Sequence, residues 1–314
     1  MKKKSRTFTK CITSFALAAT MVFTALPLPA MASSTEFLWL GSKGVAKVET
    51  GMGNGTEGQW WSANDHADGG KSELIWESSH PTEAGDPISD EDVKKVGGIG
   101  GTIKLDKGEL DYDPFVMVGF NVVGVDSSEK AVVADVSGWG GLSIAYECDA
   151  PATIELGLGE SLDTHIGYAN PCVNLSSTKD GVPKVVSFPW SKFQIPSWGK
   201  TTLTTEEITA SVASIKFKVQ GKNGTVVHFK IYGIGSKDVK LNSEEYTITY
   251  ELNGGTNDSD NLTTYTPNSA FKLVDPTRSG YEFAGWFTDA TFQTPAPATI
   301  ERGTTGNKTF YAKW

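Results

Sequence analysis

Between residues 115 and 229 the chain is a succession of short runs rich in Val, Ile, Phe and Tyr, cut every few residues by Gly, Pro, Asp or Ser. The runs are Phe115–Val125, Lys130–Val136, Leu142–Cys148, Ala152–Leu158, Lys184–Pro189, Ala213–Gln220 and Val226–Ile234. β-Branched and aromatic residues suit a pleated, half-buried surface, and the punctuating residues supply turns. No long stretch carries apolar residues at the 3.6-residue spacing that an amphipathic helix needs. Many short strands bury their apolar faces by packing sheet on sheet. The expectation is therefore an all-β or mainly β protein, built as a β-sandwich or jelly roll. Phe37-Leu38-Trp39-Leu40 and Val45–Val48 extend the strand pattern upstream, and residues 51–70, rich in Gly, Asn, Asp and Ser, read as strand ends and loops. Gly97–Gly101 reads as a flexible turn; no Lys-Ser/Thr follows it, so it is no phosphate loop. Two helices of a turn or two are expected, at Ser89–Lys95 and at Glu206–Ser214, the second capped by Thr204 and Thr205.

The N-terminus follows a different grammar. Lys2, Lys3, Lys4, Arg6 and Lys10 precede an apolar run from Ile12 to Leu28, which ends in Ala30-Met31-Ala32. This is the order of a secretory signal peptide, so residues 1–32 are set apart and the mature protein is expected outside the cell, secreted or at the cell surface. Pro27 and Pro29 and the shortness of the run argue against a membrane anchor, and no later stretch reaches the length of a spanning helix. Cleavage removes five of the 28 basic residues and none of the 37 acidic ones, leaving 23 against 37 and a net charge of −14. Such a charge repels nucleic acid and anionic membranes. It is compatible with a neutral polysaccharide or a basic protein as partner. Cys148 and Cys172 remain, and export permits a disulfide between them; two free thiols are the alternative.

A polar stretch, residues 237–245, separates a C-terminal segment of different texture. That segment opens with Tyr-Thr-Ile-Thr-Tyr-x-Leu-Asn-Gly-Gly-Thr at 246–256, has Pro-Thr-Arg-Ser-Gly-Tyr-Glu-Phe-Ala-Gly-Trp-Phe at 276–287, and closes with Gly-Asn-Lys-Thr-Phe-Tyr-Ala-Lys-Trp at 306–314. In these three ordered motifs residues 246–314 resemble the Listeria–Bacteroides, or internalin B-type, repeat of bacterial surface proteins. The resemblance implies a compact β-grasp-like module that serves as a spacer or interaction unit. The residues agree: Tyr281, Phe283, Trp286, Phe310, Tyr311 and Trp314 are the large side chains from which so small a module can build a core.

Residues 33–236 carry a second likeness. Gly58-Gln59-Trp60-Trp61 with Asp68-Gly69-Gly70-Lys71-Ser72, Tyr112–Phe120, Asp135–Leu142, and Phe188–Phe193 through Trp198 to the closing strands at Ile215–Val219 and Phe229–Gly235 resemble the jelly-roll carbohydrate-binding modules of secreted polysaccharide-degrading systems. That resemblance implies non-catalytic binding of a plant- or cell-wall-type polysaccharide.

Sugar recognition needs flat apolar faces for the C–H side of a pyranose and polar groups for its hydroxyls. The residues expected to stack on a ligand are Trp60, Trp61 and Trp139, with Tyr168 and Trp198 beside them. Trp60 and Trp61 are adjacent, and adjacent strand residues point to opposite faces, so both cannot enter the core of a two-layer sandwich. Trp139 sits in Ser-Gly-Trp-Gly-Gly with little bulk around it. His165 and Asn170 flank Tyr168 as polar contacts, whereas Trp190 reads as packing. Catalysis is not expected. A glycosidase needs two carboxylates across a cleft, and no spacing among Glu147, Asp149, Glu155, Glu160 and Asp163 singles out a pair. No nucleophile elbow is present, and His66, His80, His165 and His228 lack zinc-ligand spacing. No cofactor is expected. Asn64-Asp65-His66-Ala67-Asp68 offers oxygen ligands for a structural calcium, with a polar turn as the simpler reading. Two other functions stand beside polysaccharide binding: a surface adhesion or spacer protein whose partner is another surface protein, and a glycoside hydrolase.

Overall fold

The structure is a computed structural model that describes residues 36–77, 88–178, 182–241, 244–267, 269–301 and 303–314. The leader at 1–32 lies outside the described residues. Eleven strands build the larger part: β1 (Leu38–Leu40), β2 (Trp61–Asn64), β3 (Glu73–Trp76), β4 (Ile99–Lys104), β5 (Phe115–Asn121), β6 (Gly141–Cys148), β7 (Ala152–Gly157), β8 (Cys172–Leu175), β9 (Lys184–Pro189), β10 (Ser214–Gln220) and β11 (Val226–Gly235). They form two sheets. One has the order β3-β4-β11-β6-β9 with β1 also on β11, and the other the order β2-β5-β10-β7-β8. Every pairing among them is antiparallel.

The two sheets share one core. Ile103, Ile144 and Phe229 from the first meet Val118, Ile154 and Phe217 from the second. Phe217 lies 5.6 Å from Phe229 and 6.2 Å from Tyr146, ring centre to ring centre, across the sandwich. Alternation fixes which side chains face outward. Along β10, Ile215, Phe217 and Val219 enter the core, so Lys216, Lys218 and Gln220 stand on the other face. The mainly β reading and its β-sandwich hold.

Both short helices form, α1 at Asp90–Val96 and, after α2 (Glu160–His165), α3 at Thr205–Thr209. Ser89 and Thr204 each accept a bond from the N3 amide, while Asp92 and Glu207 reach back to the cap amides, so four otherwise unpaired N–H groups are satisfied. Three local expectations are corrected. Gly100 and Gly101 lie inside β4 rather than in a turn; a Cβ there would sit 3.0 Å from the Phe229 carbonyl and 2.6 Å from that of Ile75, so glycine admits the two neighbouring strands. Lys130–Val136 forms no strand among the described residues and pairs only through isolated bridges, Val125 to Ala131 and Ala134 to Val212. Val45–Val48 alternates in burial but pairs with no strand among the described residues.

The C-terminal segment has its own strands: β12 (Tyr246–Glu251), β13 (Thr264–Tyr265), β14 (Phe271–Lys272), β15 (Gly285–Phe287), β16 (Thr299–Ile300) and β17 (Lys308–Lys313). A four-stranded sheet runs β13-β12-β17-β15, with β12 and β17 parallel at its centre, and β14 pairs with β16. The parallel central pair flanked by antiparallel strands is the β-grasp-like arrangement, here without a helix among the described residues. Ile248, Tyr265, Trp286, Ile300 and Phe310 form a core separate from that of the sandwich, with Phe283 and Trp314 packed on it.

Candidate functional site

The outward face of the β2-β5-β10-β7-β8 sheet carries the site. Strand register sets rows across it: Trp61, Gly119, Lys216, Glu155 and Cys172 form one, and Ala63, Met117, Lys218, Thr153 and Asn174 the next. A groove of about 760 Å³ lies over the middle of these rows. Its lining includes Tyr112, Phe115, Glu155, Asp163, Tyr168, Asn170, Trp198, Lys216 and Lys218.

Two loops lift aromatic rings beside this floor. After α2, Gly167 and Tyr168 both take positive φ, 71° and 61°. For a bulky side chain that region costs energy and persists only where surrounding contacts hold it. Here the Tyr168 amide donates to the Asp163 carbonyl at 2.6 Å, and its hydroxyl donates to Glu160 at 3.2 Å. The ring is left 59% exposed. Trp198 lies on the neighbouring loop and is 64% exposed. The Lys200 amide ties that loop to the Ile166 carbonyl at 3.1 Å, and Gly199 permits the approach because a Cβ would come within 2.9 Å of that of Ala169.

The polar floor is internally paired. The Lys218 ammonium sits 3.3 Å from Glu155 and 4.7 Å from the centre of the Phe115 ring. Lys216 donates to Asn170 Oδ1 at 2.5 Å, and Asn170 Nδ2 donates to Asp163 Oδ1 at 2.5 Å, which also accepts the Leu158 amide at 2.9 Å. Burial holds the Lys216 ammonium below the usual lysine range, against the pull of Glu155 and Asp163. Burial likewise raises the Asp163 carboxyl, opposed by the Leu158 amide, the Lys216 charge and Asn170. Tyr112 stacks on Phe115 at 6.4 Å and donates to Asp68 at 2.6 Å; burial and that carboxylate push its hydroxyl to about 12. Each polar group thus has a fixed direction, and aromatic surface stands beside it.

The five expected stacking residues divide. Tyr168 and Trp198 come together at the groove. Trp61 lies on the same face, half-buried, against the backbone at Gly119, but outside the groove lining. Trp60 and Trp139 are corrected: they are 4% and 5% exposed and belong to the core. Trp60 packs edge-on against Trp39 and Phe120 at 5.2 and 5.1 Å, and Trp139 packs on Phe37 at 4.8 Å, so neither offers a ring face to a ligand. The glycines around Trp139 do not expose it, because the short 3₁₀ turn Ser137–Trp139 folds the indole inward. Trp190 packs as expected, its indole N–H on the Val136 carbonyl. Of the polar pair, Asn170 is part of the floor. Lys216 and Lys218 were not singled out from the sequence, although Lys-Phe-Lys-Val-Gln in β10 shows the charged face by its period of two, and Glu155 was weighed only among the carboxylates of a glycosidase.

Of the two alternatives for the cysteines, the structure has the free thiols. Cys148 is buried in β6 and Cys172 lies on the outward face of β8, in the opposite sheet, and both are free thiols. The run at 64–68 is a 3₁₀ turn. Asp65 is fully buried there and accepts the Ser72 amide, the Ser72 hydroxyl and the Phe115 amide at 3.1, 2.7 and 2.9 Å, so the chain itself satisfies its carboxylate. These partners fit a structural turn rather than the calcium site considered for it. Among the described residues no helix is long and apolar enough to cross a membrane.

Comparison with known families matches residues 246–313 to the Listeria-Bacteroides repeat domain. No curated protein matches. Among solved structures the chain is similar to the family 11 carbohydrate-binding module of a cellulosomal cellulase of Clostridium thermocellum, at 12% identity over 58% of this chain and 90% of that one, with a TM-score of 0.30. The same family 11 module in complex with a β-1,3-1,4-mixed-linked tetrasaccharide aligns at 11% identity over 56% and 88%, TM-score 0.30. A family 30 carbohydrate-binding module from another cellulosomal cellulase of that organism aligns at 14% identity over 57% and 92%, TM-score 0.30.

Proposed function

We propose that the protein binds a polysaccharide in the groove of the β2-β5-β10-β7-β8 sheet, outside the cell and without catalysis. The observation that carries this reading is the pairing of two exposed rings, Tyr168 and Trp198, with a floor of oriented polar side chains in one groove. Rings of this kind cover the apolar face of a pyranose, and amide, ammonium and carboxylate groups meet its hydroxyls. Lys216, Lys218, Asn170 and Glu155 are held in place before a ligand arrives, which lowers the ordering cost of binding. The carboxylates of the groove favour binding over hydrolysis. Glu155 is engaged by Lys218, Asp163 by Leu158 and Asn170, and Asp68 by Tyr112.

In this reading residues 33–236 bind the glycan, 237–245 link, and the repeat at 246–314 serves as a spacer. The test is affinity electrophoresis of the mature protein through gels containing β-glucan, mannan, xylan or no polysaccharide. Retardation in one gel, lost in Trp198→Ala and in Tyr168→Ala, supports the proposal and names the glycan class. Migration unchanged in every gel sinks it and turns the search to protein partners.

A further inference from the structure

We infer that the glycan-binding surface does not end at the groove but continues over Trp198 into a second cleft beside the β8 edge, so that the ligand is a long chain held along its length. The inference rests on the polysaccharide reading above. Three depressions follow one another there. The groove shares Glu155, Trp198, Lys218 and Gln220 with a neighbouring hollow of about 490 Å³. That hollow in turn shares Cys172, Asn174 and Pro196 with a cleft of about 760 Å³. Trp198 stands at the first junction, and Asn174 at the second.

The cleft is built by the two sheets together. β8 is the last strand of one sheet and β9 the last of the other, and the cleft is lined from both, with the segment before Trp198 closing it. That segment is bridged to β8 between Cys172 and Gln194, and Phe193 anchors it in the core. Its chemistry repeats that of the groove. Asn174, Lys192 and Gln194 are exposed and can meet hydroxyls, while Phe188, Ile195 and Pro196 give half-buried apolar surface.

Strand spacing sets the ligand length. A sugar residue in an extended chain advances by about one inter-strand spacing, roughly 5 Å. From β5 to β8 is three spacings, which accommodates about four residues. Crossing from β8 to the facing sheet adds about 10 Å, or two residues more. A ligand confined to this sheet face gains nothing beyond four residues, whereas one that enters the cleft keeps gaining.

The experiment is calorimetric titration of the mature protein with β-1,4-linked gluco-, xylo- and manno-oligosaccharides of four and eight residues, and with the parent polysaccharides. The expected result is tighter binding of the eight-residue chain than of the four-residue chain. Lys192→Ala and Gln194→Ala, both surface substitutions in the cleft alone, should each weaken the longer chain about threefold to tenfold and leave the shorter one unchanged. Equal affinity for both lengths overturns the inference and leaves the groove reading standing. A length dependence that both variants preserve also overturns it. No binding of any oligosaccharide or polysaccharide overturns the inference together with the function on which it rests.

Discussion

Trp198→Ala separates a binding role from a packing role at a single side chain. A tryptophan can bury up to about 250 Å². At 64% exposure, about 160 Å² of Trp198 is open to solvent, and a sugar stacked on one face covers about half of that. At about 25 cal/mol per Å², the lost contact is worth about 2 kcal/mol, or roughly thirtyfold in Kd. The fold should not register the change, because exposed positions of this kind alter stability by no more than about 0.5 kcal/mol. The assay is retardation of wild type and variant across a series of polysaccharide concentrations, with thermal unfolding of both. Full retention of binding by Trp198→Ala would refute the stacking argument. A large drop in Tm would refute the view that the residue is outside the core.

The opposite behaviour is expected of Trp60→Ala and Trp139→Ala, which remove core rings and should cost about 3–5 kcal/mol of stability each, read by denaturant unfolding. Mass spectrometry of the non-reduced mature protein should find two free thiols; a mass lower by two hydrogens would overturn the assignment. In the native protein a thiol reagent should modify Cys172 before Cys148, since Cys148 is fully buried and that burial pushes its thiol to about 11, whereas Cys172 is half-buried. Asp289 accepts bonds from Thr291, Gln293 and Thr294, and these hold its carboxyl down to about 2. Its folded pKa is below the unfolded one, so the stability it adds is present above about pH 4 and lost as pH falls toward 2. The stability difference between wild type and Asp289→Ala in the repeat, followed by circular dichroism, should therefore close over that window; a difference independent of pH would contradict it.

Strand pattern carried the fold a long way. Lys184–Pro189 was bounded to the residue, and β6, β7, β10 and β11 to within one, because alternation and turn residues are local properties of the chain. The caps at Ser89 and Thr204 are local in the same sense. Gly100 and Gly101 were misread because the reason for them lies in β3 and β11, which the sequence does not place beside them. Of the adjacent pair, one tryptophan had to leave the core, and Trp61 is the one that does; alternation predicted the split but not its direction.

The site was less legible. Tyr168 and Trp198 were two among many aromatics, and nothing local distinguishes them from Trp60 or Trp139. Their exposure follows from a positive φ at Tyr168 and from the tie between the loops at Ile166 and Lys200. By itself the sequence determined a mainly β protein with a sandwich, a repeat at its C-terminal end and a charge that disfavours nucleic acid, because composition, period and motif are written along the chain. Only the tertiary structure decided which rings face outward, that Lys216, Asn170 and Asp163 meet, and that Cys148 and Cys172 do not. Those outcomes depend on which strands become neighbours and which sheet each strand joins, and both are settled by packing between residues far apart in sequence.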